Sequence, residues 1–168
     1  MKVLVLNGSP KKKSDTFRLT DLIIWSFPLY CYSMPSHLKA VLDRTIPLVK
    51  MRMQQLSDGT VRHEALAGFS KIHTLVICGC GFPNWEGNFN ALKLMCNTCF
   101  CGPDMVCVPE TPMLNVPAAA VVANPLLAKF EKAGEEYAQK MTLSPETVAE
   151  LERPMISAED YIRNVNGG

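Results

Sequence analysis

The sequence predicts an α/β protein: a parallel sheet with helices on both faces. Three observations carry that expectation. Four short runs rich in Val, Ile and Leu are each bounded by Gly or Pro, as buried parallel strands are. Stretches with helical spacing of apolar residues alternate with them, which is the pattern of right-handed crossovers. The length, 168 residues, suits one domain with a real core and is short for two ordinary domains joined by a linker.

The first run, Lys2 to Asn7, ends at Gly8, Ser9 and Pro10 and reads as the first strand. Asp21 to Phe27 is the second, stopped by Pro28. A helix follows from Ser36 to Arg44, with Pro35 suited to its first turn, Leu38, Val41 and Leu42 on one face, and Pro47 as its stop. From Lys50 to Gly68 the chain is polar and turn-rich without a sustained period, and reads as an excursion at the rim. Lys71 to Cys78 is the third strand and breaks at Gly79, Cys80 and Gly81. Asn88 to Cys99 has helical spacing, and Met105 to Val108 is the fourth strand.

Beyond Pro109, prolines at 112, 117 and 125 space out a segment that leads into a helical extension of the single domain from about residue 118. A helix is expected from about Pro125 to Lys140, then two shorter ones. Ser144, Pro145 and Glu146 supply an N-cap, a proline at the first helical position and an acid at the positive dipole end; Ser157 with Asp160 resembles a capping box. One junction is short. About 13 residues separate Asn7 from Asp21, barely a crossover's length, so either Ser14 to Thr20 forms a minimal helix or a helix and edge strand are missing between residues 20 and 21.

Composition excludes several classes. Hydrophobic residues at 48% and charged residues at 20% argue against extensive disorder, and a formal net charge of +1 offers no electrostatic footprint for nucleic acid or an anionic membrane. No apolar run approaches a bilayer span, and the opening run is too brief for a signal peptide, so a cytoplasmic protein is expected. Seven cysteines, an odd number set partly in apolar segments, read mostly as reduced thiols. Cys96, Cys99 and Cys101, with Cys107 as a fourth ligand, are the nearest approach to a metal set; their helical and apolar surroundings favour packing, and no metal is expected. His37, His63 and His73 are scattered without a nucleophile or acid at motif spacing, so hydrolase chemistry has little support.

In an open parallel sheet, ligands bind beyond the carboxyl ends of the strands. The turn from Gly8 to Thr16 concentrates hydroxyls at Ser9, Ser14 and Thr16, free amides and lysines including Lys11, and suits a phosphate group; the bland alternative is a solvated lysine-rich turn. A Walker A loop is excluded, because the glycine before Lys13 is missing and the spacing is one residue short. The loop from Phe27 to Pro35 puts Pro28, Leu29, Tyr30 and Tyr32 where a polar connector is usual, which suits a flat ring, although either tyrosine could simply cap the core. The loop from Cys78 to Trp85 repeats the theme: Gly79 and Gly81 flank Cys80 and allow backbone approach, and Phe82 or Trp85 can cover a ring.

Lys2 to Pro10, then Pro28, Leu29 and Tyr30 with Met34 to Lys39 and Leu42, Asp43 and Arg44, resemble the flavodoxin-like NAD(P)H-dependent FMN reductases over most of the chain. The resemblance implies a flavodoxin-like three-layer sandwich. It implies FMN phosphate on Ser9, Ser14 and Thr16, with Lys11, and isoalloxazine contacts from Pro28, Leu29, Tyr30, Gly79, Cys80 and Gly81. It also implies NAD(P)H as co-substrate, a quinone, flavin or similar acceptor, and a homodimer. No catalytic side chain is expected, because the flavin carries the chemistry. Two rivals stand beside this expectation: a flavodoxin-type one-electron carrier, which is usually strongly acidic where this chain is near neutral, and a fold member without flavin that serves as an interaction module.

Overall fold

The computed structural model describes residues 21–57, 59–65, 71–83, 87–100 and 102–167. The strand expected at Lys2 to Asn7, the phosphate turn with Ser9, Lys11, Ser14 and Thr16, the short junction before Asp21, Trp85 and Cys101 lie outside the described residues. The described residues form two compact units, one of 21–23 and 36–73, the other of 24–35 and 74–167.

The larger unit is built on a three-stranded sheet in the order β1 (Leu22–Pro28), β4 (His73–Gly79), β5 (Asp104–Val108). β4 and β5 are parallel, with Leu75 opposite Asp104 and Gly79 opposite Val108. β1 runs the same way: Asp21 O accepts from His73 N (2.9 Å) at its start, and Leu29 N donates to Gly79 O (2.7 Å) at its end. The protein is therefore α/β with a small parallel sheet, as its runs of Val, Ile and Leu predict.

The strands differ in depth for reasons visible in their residues. Val106, Cys107 and Val108 of β5 and Leu75 and Val76 of β4 are buried on successive positions, so both faces are covered. β1 alternates instead. Ile23, Trp25 and Phe27 are buried while Ile24, Ser26 and Pro28 are exposed, so one face of this strand is open along most of its length, contrary to the doubly covered run its apolar sequence suggests. Trp25 packs on Phe100, with ring centroids 5.3 Å apart. α2 (Asn90–Cys99) contributes Leu92 and Cys96, which with Phe89 fall at helical spacing on one face, and all three are fully buried. Truncating Leu92 to alanine would cost about 2–5 kcal/mol for the cavity left behind.

β5 has an outer edge, and the chain covers it. The N–H of Cys107 donates to Glu152 Oε1 (2.8 Å), and Lys93 pairs with the other carboxylate oxygen at 3.6 Å. A side-chain acceptor thus satisfies a backbone donor that would otherwise be open to another strand. Glu152 caps α4 (Pro145–Leu151), which packs on β5 and on α3 (Ala120–Lys140). α3 begins at Ala120, earlier than the proline-based expectation, so Pro125 lies inside it and removes the hydrogen bond to Val121 O. The two predicted caps are present: Ser144 Oγ accepts from Thr147 N (3.2 Å), and Ser157 Oγ accepts from Asp160 N (3.1 Å) at the start of α5 (Ala158–Val165).

The smaller unit holds α1 (Ser36–Asp43), a 3-10 turn at Ile46–Leu48 and a hairpin of β2 (Val49–Gln55) and β3 (Val61–Ala65). α1 stops before Pro47, where Thr45 Oγ1 bonds back to Leu42 O (2.7 Å). The hairpin corrects the expectation of an aperiodic excursion. Val49, Met51 and Met53 alternate with Lys50, Arg52 and Gln54, and the strands pair antiparallel with Met53 opposite His63 and Gln55 opposite Val61. Glu64 pairs with Lys50 (3.0 Å) and Arg52 (3.1 Å), while Met51, Met53 and Val61 stay exposed. Exposed ion pairs of this kind contribute little to stability.

Candidate functional site

Two loops leave the carboxyl ends of β1 and β4, and because these strands are adjacent and parallel the loops emerge side by side. They are joined at their bases by the Leu29 N to Gly79 O bond.

The first loop turns back on itself. Tyr30 N donates to Ser33 O (3.1 Å) and Ser33 N to Tyr30 O (2.9 Å), closing a four-residue turn with Cys31 (φ 49°) and Tyr32 (φ 60°) at its centre. Positive φ at both central positions is the mirror-image turn that glycine or asparagine normally occupies. Left-handed backbone costs an ordinary L-residue roughly 1–2 kcal/mol. The result is two rings held outward: Tyr30 is 62% exposed and Tyr32 53% exposed. These tyrosines do not cap the core. Met34, at the loop's end, is the residue that is buried.

The second loop, from Gly79 to Phe82, carries the partner ring. Phe82 is 50% exposed, and it lies parallel to Tyr32 within 4°, with centroids 6.4 Å apart. Parallel rings at this range are a favourable arrangement, and half of each ring's surface remains open to a third flat group. The loop's carbonyls are all turned toward protein donors. Cys80 O accepts from Thr111 N (2.9 Å) and Thr111 Oγ1 (3.1 Å), Gly81 O from Tyr161 OH (2.9 Å), and Phe82 O from Glu110 N (3.1 Å). Among the described residues, the N–H groups of Gly81 and Phe82 meet no protein acceptor.

Of the residues the sequence singles out, Pro28, Leu29, Tyr30 and Tyr32 are gathered on the first loop and Gly79, Cys80 and Gly81 on the second; Ser9, Lys11, Ser14 and Thr16 lie outside the described residues. Two of these have plain packing reasons as well. A Cβ on Gly79 would meet Thr111 Cγ2 at 2.5 Å, so this glycine is required by a neighbouring side chain. Cys80 is buried, its thiol is pushed up by desolvation, and its Sγ donates to Phe82 O (3.6 Å), so its side chain braces the loop from within.

Sequence reasoning does not reach Glu110, Thr111 and Tyr161, which anchor the second loop. Glu110 has φ 58° and is 0% exposed; its Oε2 accepts from Met155 N (2.7 Å) and Ile156 N (3.2 Å), and its Oε1 has no partner. Burial raises its pKa, partly offset by those two N–H groups. The local signal available was weak: an acid directly after a buried strand and before Thr111 and Pro112.

Other features offer less chemistry. Burial pushes the Cys96 thiol up to about 11 and Cys107 up to about 12, and Cys78 higher still, so these are packed, unreactive thiols. Cys99 is exposed on the same helix as buried Cys96, and among the described residues no group of three His, Cys, Asp or Glu side chains could hold a metal ion. An open groove of about 590 Å³ is lined by Leu143, Val148, Pro154, Glu152 and Arg153, but Glu152 is committed to Cys107 N and Lys93, and Arg153 to Glu150. No helix among the described residues is long and apolar enough to cross a membrane. Compared with known proteins, the chain matches no family model and no curated sequence.

Proposed function

We propose that this chain is a flavodoxin-like oxidoreductase that binds FMN at the carboxyl ends of its parallel strands and uses NAD(P)H as reductant. The observation that carries the reading is the parallel, half-exposed pair of Tyr32 and Phe82, set on the two loops that leave adjacent strands. Loops in that position are the general ligand site of open α/β sheets.

The residues fit the group. A flavin needs flat walls for its ring system, donors for its polar edge and an anion site for its phosphate. Tyr30, Tyr32 and Phe82 supply rings, Pro28 and Leu29 supply apolar backbone at the end of β1, and the unpaired N–H groups of Gly81 and Phe82 supply donors. Ser9, Ser14 and Thr16, with Lys11, would take the phosphate. Bound FMN would accept hydride from NAD(P)H and pass the electrons to a small acceptor such as a quinone or a flavin.

The side chains here bind and orient, and none need act as acid or base. Pinned carbonyls keep the second loop from collapsing onto its own amides, so the Gly81 and Phe82 N–H groups stay available. The strained turn keeps Tyr32 outward, where its ring would exclude water from one face of the ligand. The near-neutral charge of the chain favours an enzyme over an acidic one-electron carrier.

The test is a stopped-flow measurement on FMN-loaded protein mixed with NADPH or NADH. Rapid bleaching of the flavin band is expected. Slow bleaching at the rate of free FMN would favour a one-electron carrier, and failure of the purified protein to retain or bind FMN would favour an interaction module.

A further inference from the structure

The loop from Gly79 to Phe82 is held by residues that arrive from far along the chain. Tyr161, on α5, reaches Gly81 O with its hydroxyl (2.9 Å). Glu110 holds Phe82 O with its backbone N–H (3.1 Å), while its carboxylate holds the N–H groups of Met155 and Ile156 (2.7 and 3.2 Å). The segment from Met155 to Tyr161 therefore grips the loop twice, once directly and once through Glu110.

This arrangement carries two costs that a purely structural contact would avoid. Glu110 sits in left-handed backbone at φ 58°, where glycine or asparagine would be at ease. Its Oε1 is buried without a hydrogen bond, although an unpaired buried polar atom typically costs about 1–3 kcal/mol. What accompanies the costs is a loop whose three carbonyls are all bonded to protein donors, while the N–H groups of Gly81 and Phe82 meet no protein acceptor among the described residues.

We infer that Glu110 and Tyr161 are positioning residues and that the C-terminal segment from Met155 to Tyr161 is a clasp, fixing the Gly81 and Phe82 amides for the acceptor atoms of a planar ligand. The inference rests on the FMN reading above. Neither residue touches the ligand; each acts through the loop it holds. The flavin site would thus depend on a helix at the far end of the sequence, and removing one hydroxyl there would be felt at the ring.

Tyr161→Phe and Glu110→Gln in the full-length chain test this. Tyr161→Phe deletes one donor and keeps the packed ring; Glu110→Gln keeps an amide oxygen for Met155 and Ile156 N–H. Two readouts are needed: hydrogen exchange at the bonded amides of Cys80, Glu110 and Thr111, which tie the loop down, set against the global unfolding midpoint, and FMN affinity together with the shape of the bound flavin's visible band. With Tyr161→Phe, exchange at the Cys80, Glu110 and Thr111 amides should quicken and FMN affinity fall about fivefold, the equivalent of one hydrogen bond, with a changed flavin band and a nearly constant midpoint. Glu110→Gln should retain affinity, whereas Glu110→Ala should lose it at least as severely as Tyr161→Phe. Unchanged exchange in Tyr161→Phe overturns the clasp, and so does faster exchange with unchanged FMN affinity and spectrum. If the unaltered protein binds no FMN, the functional reading fails instead, and the exchange measurement alone still decides whether the segment holds the loop.

Discussion

The two loops at the carboxyl ends of β1 and β4 are built on opposite principles. The turn from Tyr30 to Ser33 is closed by two backbone hydrogen bonds of its own, with a weak Ser33 Oγ contact to Met95 Sδ (3.8 Å) and the Tyr32–Phe82 pair beside them, two L-residues in left-handed backbone and both tyrosines more than half exposed. The loop from Gly79 to Phe82 has ordinary residues in ordinary backbone, yet each carbonyl from Cys80 to Phe82 is anchored by a residue distant in sequence. The first loop presents a ring on a strained, locally closed turn; the second presents a ring and free amides on a platform braced from behind.

The difference predicts that the second loop tolerates far less change than the first. The largest effect is expected at Gly79→Ala. Its new Cβ would meet Thr111 Cγ2 at 2.5 Å and Oγ1 at 2.8 Å, and the Thr111 side chain cannot yield without giving up its hydroxyl bond to Cys80 O. A loss of about 3 kcal/mol, the upper end for overpacking, should appear as a lowered urea midpoint. Adding Thr111→Ser, which removes the methyl and keeps the hydroxyl, should recover part of it.

Glu110→Ala should cost about 2 kcal/mol, because it leaves the N–H groups of Met155 and Ile156 without their acceptor. Glu110 also gives the platform a pH dependence of definite sign. Burial raises its folded-state pKa above the value of the unfolded chain, so the folded protein holds the proton more tightly. Its contribution is full below the ordinary carboxyl range and is lost as pH rises through the folded value. Glu64, Glu136 and Glu150, whose partners lower their pKa values, act in the opposite sense, so the decline is read as a difference: relative to Glu110→Gln, the urea midpoint of the unaltered protein should fall as pH rises from the acid to the neutral range.

The smallest effect is expected on the first loop, with the opposite sign. Asparagine tolerates left-handed backbone better than cysteine, so Cys31→Asn should stabilise the protein by up to about 1 kcal/mol. A loss of stability there would mean that relief of backbone strain does not govern this turn.

What was legible in the sequence follows the same division. The strands at β1, β4 and β5, the helices at Ser36–Asp43 and Asn90–Cys99, and the caps at Ser144 and Ser157 rest on local periodicity and local chemistry, and they are where the residues indicate. For Tyr30 and Tyr32 between prolines the sequence leaves a ligand wall and a core cap both open, and their exposure excludes the cap. The hairpin was missed although Val49, Met51 and Met53 alternate with polar neighbours, since that face is not buried and a short alternation among charges resembles a solvated loop. α3 was begun too late because Pro125 looks like a first-turn proline and is in fact interior. Glu110 could not be found, because its partners lie 45 and 46 residues further on and nothing local distinguishes a buried acid from an exposed one. Gly79 was read as room for a ligand, and its missing Cβ also makes room for Thr111.

The central claim is that a planar ring binds against Tyr32 and Phe82, and an equilibrium titration of FMN fluorescence addresses it most directly. The unaltered protein should quench the flavin in a saturable, equimolar titration, and Tyr32→Ala should weaken binding by at least about fivefold, consistent with stacking worth 1 kcal/mol or somewhat more. Equal affinity in the two proteins, or no quenching by the unaltered one, would contradict the account.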